Sequence, residues 1–329
     1  MTVGELGEHA LIARIRARIP PSPAFVVVGI GDDAAVLEPE RNALEVITTD
    51  SQVEGVHFDQ HFVGAADIGH KSLAVNLSDI AAMGATPRAA LLSLVLPPAW
   101  PVADLDALLD GLTALAGRAR ISIVGGNIAR SPGPLIVDVT VTGSVHRRRF
   151  LTRTGARAGD ELYVTGALGG AAAGLRALRE HPSAFAAGAT ADKSARERLV
   201  MRYLRPEPRM RFGLMLGRNE AARACIDLSD GLADGVRQIG EASRLGAVID
   251  AEALPIEEGA TLRDALGGGE DYELLFAVSP RMRSRLRSVR RLVKDLAVTR
   301  IGHLTADRAM MLRRNGSTEE LPAGFAHFA

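Results

Sequence analysis

The chain predicts an α/β (α+β) protein of two domains. Strand-like and helix-like segments alternate through both halves, and 329 residues exceed the usual size of one domain. A basic, turn-rich segment, His146–Asp160, interrupts the alternation and places the expected domains at 1–147 and 148–329.

In the first half, residues 5–19 read as an amphipathic helix ended by the Pro20–Pro23 cluster. Phe25–Ile30 reads as a strand opening into GDDAAV, and Leu44–Thr49 as a second strand ending at Asp50. A buried helix occupies GHKSLAVNLSDIAAMGATP (Gly69–Pro87), with Leu73, Ala74, Leu77, Ile80, Ala81 and Met83 apolar at helical spacing. Its polar stripe is made of short side chains, Ser72, Asn76 and Asp79, where a solvated face would carry Lys, Glu and Arg. Asp79 therefore points into a polar site or is an ordinary hydrogen-bonded helix residue. Ala89–Leu96 is an apolar strand, Val102–Arg120 a helix, and Ile121–Val124 a strand running into Gly125–Gly126–Asn127. Leu135–Val145 alternates, with Leu135, Val137, Val139 and Val141 on one face and Asp138, Thr140 and Thr142 on the other. This predicts an antiparallel strand that is half exposed or meets a partner subunit.

In the second half, strand Glu161–Thr165 leads through a Gly/Ala-rich turn to a helix reaching about Arg179. Helices surround RPEPR (Arg205–Arg209). Strand Ala224–Asp227, a helix after Gly231, strand Ala247–Ala251, helix Glu257–Leu266 and strand Tyr272–Val278 follow. A very basic helix, Pro280–Lys294, and a last clear strand, Val298–Leu304, close the pattern.

Composition excludes several function classes. Formal net charge is zero, and three tyrosines and one tryptophan give few stacking platforms, so no nucleic-acid partner is expected. No apolar run spans a bilayer and no secretory leader is evident, so a cytoplasmic protein is expected. The single cysteine, Cys225, rules out an intramolecular disulfide, and its apolar surroundings favour a core role over a nucleophile. Lys71 has surface charge as its default reading.

Four loops carry oxygen-bearing side chains beside glycines: GIGDDAAV (Gly29–Val36), TTDSQVEGVHF (Thr48–Phe58) and DLSDGL (Asp227–Leu232) with carboxylates, and GGNIARSP (Gly125–Pro132) with Asn127 in their place. Singly, GDD and SDG are common turn and cap sequences. Together with Asp79 they form a set of hard oxygen donors suited to Mg²⁺ or Ca²⁺, and Mg²⁺ held by carboxylates commonly meets substrate phosphates. GxxxxGK[ST] is absent, so the chain is not a Walker-type kinase. TGALGGAAAG (Thr165–Gly174) reads as close helix packing first and as a phosphate cradle second.

These motifs, with RTGARAGDELYVTG, GGEDYELLF and the terminal GFAHF, occur in an order that closely resembles the thiamine-monophosphate kinase family, part of the ATP-using superfamily of aminoimidazole ribonucleotide synthetase (PurM-like). The resemblance covers almost the whole chain. It implies a homodimer, with the N-terminal mixed-sheet domain at the dimer interface and a C-terminal α/β domain. It implies direct in-line transfer of the γ-phosphate of ATP to thiamine monophosphate with several Mg²⁺ ions. Carried over by motif, Asp33, Thr48, Thr49, Asp50, Asp79, Asn127, Asp227 and Asp230 would hold Mg²⁺, with Asp50, Asp79 and Asp230 central to catalysis. Gly126, Asn127, Arg153 and Ser229 would contact ATP. His57 and Glu270 would hold thiamine monophosphate and Phe325 would stack on it. Asp271 competes with Glu270 as a structural carboxylate, and Phe325 has a core-anchor reading. Asn127 departs from the GGD frequent in the family, and helix 102–120 contains no aromatic residue for adenine. The other readings are a superfamily relative, such as a selenophosphate-synthetase-like enzyme, or an inactive nucleotide-binding paralogue.

Overall fold

The computed structural model describes residues 1–181 and 195–324. Its contacts divide it into one unit of Met1–Ile80 and Thr86–His146 and another of Ala81–Ala85, Arg147–His181 and the described part of Gly188–Ala329.

The first unit opens with α1 (Val3–Leu6) and α2 (Glu8–Arg18), two helices where the sequence reads as one. Gly7, at φ +78°, breaks the run, and Thr2 with Glu5 closes a capping box on α1. Strands β1 (Val26–Val28) and β2 (Val36–Leu37) pair antiparallel on either side of GDD. Then come β3 (Ala43–Val53), α3 (Ala65–Ala82), β4 (Thr86–Leu96), α4 (Val102–Ala119), β5 (Ser122–Arg130) and β6 (Ile136–His146). The four long strands form a sheet in the order β3-β6-β4-β5, with β4 and β5 parallel and the other pairs antiparallel.

Two strands outrun their sequence signal. β3 continues past Asp50 to Val53, because β6 offers it an unbroken antiparallel register from Ala43↔His146 to Val53↔Ile136. β5 runs through Gly125–Asn127, which are strand residues and not a loop, because β4 pairs with them in parallel. In both cases ladder hydrogen bonds satisfy the backbone and override the poor strand propensity of Asp, Asn and Gly.

Residues directly opposite one another in a ladder share a face. Thr48 and Asp50 of β3 therefore lie with Val141 and Val139 of β6, which are fully buried. The helix α3 covers that face, since Thr48 Oγ1 donates to Asp79 Oδ2. Most of α3 is buried: Leu73, Leu77 and Ile80 are at 0% exposure, and so are Ser72, Asn76 and Ser78. Lys71 is only 2% exposed. The sequence reading of Lys71 as a surface charge is thus corrected, because α3 has no solvated face at that point. Helices α3 and α4 approach closely at two glycines: a Cβ on Gly69 would stand 1.9 Å from Leu108 O, and one on Gly111 1.9 Å from Ala66 O.

The second unit contains β7 (Glu161–Thr165), α5 (Gly170–Glu180), α6 (Ala195–Leu204), α7 (Met210–Arg218), β8 (Ala224–Asp227), α8 (Leu232–Ser243), β9 (Gly246–Asp250), α9 (Leu262–Gly267), β10 (Leu274–Val278), α10 (Arg283–Leu292), β11 (Val298–Thr305), β12 (Met310–Arg314) and β13 (Ser317–Glu320). Its sheet has the order β13-β12-β9-β11-β7-β10-β8, antiparallel except between β12 and β9. β7 and β10 are buried throughout and separate two cores. One gathers Leu162, Val164, Val236, Ile239 and Ile249, and the other Tyr163, Phe212, Phe276, Leu286 and Val289. Cys225 belongs to the second core, where burial pushes its thiol well above the ordinary range and leaves it inert. β12 and β13 follow the strand read as the last, and β13 is exposed at every position, so no apolar alternation marks it.

Candidate active site

In the first unit, the open face of the four-stranded sheet lines a groove of about 930 Å³. Its walls include Asp32 and Asp33 from the turn between β1 and β2, Gly126 and Asn127 from β5, and Asp138, Thr140 and Thr142 from β6. Ile12, Ile15 and Ile19 add an apolar side. The ladder registers set Ser51, Asp138, Ser93 and Asn127 in one row across the sheet, and Thr49 opposite Thr140 in the next. A Cβ on Gly126 would lie 1.8 Å from Leu92 O, so only glycine lets β5 pair here. Asp33 is exposed, and its amide donates to Asp32 Oδ1 at 2.9 Å.

The strand pleat parts residues that are neighbours in TTD. Thr48 and Asp50 turn to the helix-covered face, where Thr48 meets Asp79. Thr49 turns to the open face, with its Oγ1 3.0 Å from Thr140 Oγ1 and 3.4 Å from Asp138 Oδ1. Ser51 Oγ also donates to Asp138. His57 closes the turn after β3, its Nδ1 accepting from Val53 N at 3.1 Å. Among the described residues no three His, Cys, Asp or Glu side chains stand together as a metal-binding group; the donors met here pair a carboxylate with hydroxyls.

In the second unit, Asp227 ends β8 opposite Leu274 of β10 and is 7% exposed. Ser229 Oγ donates to Asp230 Oδ2 at 3.0 Å, just ahead of α8. Glu270 is half-buried at φ +60°, and its amide donates to Ser229 O at 2.6 Å. Arg153 is exposed. Phe325 lies outside the described residues.

Two carboxylates beside Glu270 are buried. Asp271 accepts from Gly169 N at 2.6 Å and Ala171 N at 3.2 Å, at the start of α5. The N-terminus of α5 thus meets a side-chain carboxylate, and Gly174 lets α5 pack on α6, where a Cβ would lie 2.0 Å from Leu199 O. The packing reading of TGALGGAAAG agrees with this. Burial pushes the Asp271 carboxyl up to about 6, with the two amide bonds and Arg202 opposing it. Glu273, at 0% exposure, accepts from Arg209, Arg202 and Thr165. Burial opposes its ionisation, but the Arg209 bond and charge, with Arg202, outweigh it and hold the carboxyl below the ordinary range.

The raised Asp271 carboxyl has a measurable sign. A native carboxyl that binds its proton more tightly than the unfolded one adds stability as pH falls from about 6 towards 3.8. The shift corresponds to roughly 3 kcal/mol at most. The stability of wild type relative to Asp271→Asn should therefore rise by up to that amount between pH 7 and pH 4, read by urea denaturation. A difference that does not change with pH would show that this carboxyl titrates as in the unfolded chain.

Two families match the chain: AIR synthase related protein, N-terminal domain, over residues 31–145, and AIR synthase related protein, C-terminal domain, over residues 157–313. Thiamine-monophosphate kinase of Salmonella typhimurium strain LT2 is 39% identical over 339 aligned positions, covering 98% of each chain. The chain belongs to the thiamine-monophosphate kinase family. The crystal structure of thiamine-monophosphate kinase from Stenotrophomonas maltophilia K279a matches with a TM-score of 0.82 and 40% identity, over 95% of this chain and 96% of that one. A structure described as AaThiL complexed with AMPPCP and TMP matches with a TM-score of 0.75 and 30% identity, over 100% and 99%. The two-domain PurM-like fold expected for this family is the fold observed.

Two groups of residues near the motif-carried positions have no motif of their own. Asp138 and Thr140 line the groove; their signal was the alternation of β6, read as an exposed or partner-facing strip. Asp271 and Glu273 were read in GGEDYELLF as a competitor of Glu270 and a strand residue. Their partners lie more than 60 positions away, which no local pattern reveals.

Proposed function

We propose that the protein transfers the γ-phosphoryl group of ATP to thiamine monophosphate, giving ADP and thiamine diphosphate. The observation that carries this reading is the full-length identity to kinases of that name, joined to a groove whose floor bears hydroxyl and carboxylate oxygens on the open sheet face.

A terminal phosphate oxygen of thiamine monophosphate attacks the γ-phosphorus as the bridging oxygen to the β-phosphate departs with ADP. One P–O bond forms and one breaks, with no phosphoenzyme. The attacking oxygen is already ionised, so no strong general base is needed. The donor set is oxygen only, without thiolate or imidazole, and fits Mg²⁺. We assign Mg²⁺ ligation in the first unit to Thr48, Asp50 and Asp79 on the helix-covered face and to Asp33, Thr49 and Asn127 on the open side, so that more than one ion is held, and in the second unit to Asp227 and Asp230. Bound Mg²⁺ supplies charge screening between the two polyanions. Asp50, Asp79 and Asp230 are assigned the central catalytic positions. Gly126, Asn127, Arg153 and Ser229 bind ATP, Arg153 through a fork of donors for phosphate oxygens. His57 and Glu270 orient thiamine monophosphate, with Glu270 offsetting the thiazolium charge, and Phe325 stacks on the heteroaromatic part. The enzyme works as a cytoplasmic homodimer. Ile47 (67% exposed) and Leu91 (42%) on the open side of the sheet support a subunit contact there. Among the described residues no helix is long and apolar enough to cross a membrane.

Release of ADP from Mg²⁺-ATP should depend on thiamine monophosphate; turnover on another phosphorylated acceptor only, or nucleotide binding without turnover, sinks the reading. Asn127→Asp, on an exposed strand position opposite Ser93, should keep kcat within about threefold of wild type, because the side chain has the same shape and adds a harder donor. Collapse of activity in that variant would show that β5 serves the site differently.

A further inference from the structure

The loop GGEDYE holds an unfavourable backbone. Gly269, Glu270 and Tyr272 all have positive φ, at +69°, +60° and +49°. Left-handed conformations in Glu and Tyr cost free energy and persist only where the surroundings over-determine them. Two sets of bonds do so here. Glu270 N and Tyr272 N donate to Ser229 O and Leu228 O at 2.6 and 3.0 Å, and Leu228 N donates back to Glu273 O at 2.8 Å, so the loop is stitched to DLSD. Between the two left-handed residues, Asp271 turns inward at 4% exposure and fastens to Gly169 N and Ala171 N of the glycine-rich turn. Glu270 stays half-buried between these anchors.

We propose that Asp271 is a positioning residue for the substrate-binding Glu270. Its carboxylate fastens the loop to the N-terminal amides of α5 and thereby keeps Glu270 in its left-handed conformation against the Ser229 carbonyl. This makes TGALGG a mount for the substrate loop, with the anion that such a turn attracts supplied from within the chain. The inference rests on the kinase reading for its kinetic effect and on the structure alone for its mechanical one.

The test compares full-length wild type, Asp271→Asn, Glu270→Gln and the double variant in the Mg²⁺-ATP assay, with amide hydrogen exchange in parallel. Asp271→Asn should raise KM for thiamine monophosphate tenfold or more and leave KM for ATP within twofold. In the Glu270→Gln background it should add no further rise, since it acts through that side chain. Exchange at the Glu270 and Tyr272 amides should quicken at least tenfold in Asp271→Asn while the β7–β10 amides keep their protection. An unchanged KM for thiamine monophosphate, an equal rise in both KM values, or effects that multiply in the double variant would overturn the proposal. Should Asp271→Asn not fold, exchange in the wild type decides: Glu270 and Tyr272 amides exchanging at free-peptide rates would mean that nothing holds the loop. Absence of thiamine monophosphate phosphorylation by the wild type would defeat the kinase reading alone, because the exchange measurements need no turnover.

Discussion

Asp50→Asn should lower kcat by roughly 100-fold or more, a loss of about 2.7 kcal/mol of transition-state stabilisation or greater. Asp50 sits mid-strand, opposite Val139 in a ladder that runs unbroken from Ala43 to Val53. An amide of the same shape leaves that ladder intact, so the melting temperature should move little. The change falls on the charge brought to the reaction. Two polyanions must approach, and in the role proposed for Asp50 a neutral oxygen in place of its carboxylate would weaken the hold on the cation that screens them. Steady-state kinetics over a Mg²⁺ titration check this: the half-saturating Mg²⁺ concentration should rise together with the fall in kcat. Turnover near wild type at ordinary Mg²⁺ would remove Asp50 from the ligand set.

The fold was legible where burial imposes a period. The alternation of β6, the apolar spacing of α3 and the strand ACID in β8 all survive in the structure. It was illegible where a partner strand decides the outcome. TTDSQV and GGNIAR carry turn-forming residues, and only the registers offered by β6 and β4 make them strands. This bears on the candidate site. As loop residues, Thr48, Thr49 and Asp50 would be free to converge; as strand residues they alternate, which sends Thr49 to the groove face beside Asp138 and Thr48 to Asp79 beneath α3. The motifs named the residue types, and the pleat decided which of them meet. The same limit explains Lys71: a lysine in a sequence has surface charge as its default reading, and only the folded helix shows it at 2% exposure among buried neighbours.

Glu273→Gln should cost about 3 kcal/mol of stability and lower the melting temperature by roughly 5–10 °C. Glu273 is at 0% exposure, and the guanidiniums of Arg202 and Arg209 that converge on it are themselves 20% and 17% exposed. An amide presents two donors where Arg209 Nε, Arg202 and Thr165 Oγ1 all need an acceptor. Two mostly buried cations then lose their counter-charge, which is the costly way to break such a cluster. The damage reaches the sheet, since Thr165 Oγ1 accepts from Leu274 N at 2.9 Å while donating to Glu273, joining β7 to the start of β10. The pH dependence has the opposite sign from that of Asp271. Because Glu273 is held below its ordinary 4.5, its contribution is complete above that value and disappears as pH falls through the lower native one. The deficit of Glu273→Gln should therefore be full at pH 7 and shrink on acidification, as measured by urea denaturation. A variant as stable as wild type at pH 7 would show that the two arginines find acceptors elsewhere, and that Glu273 does not anchor the motif.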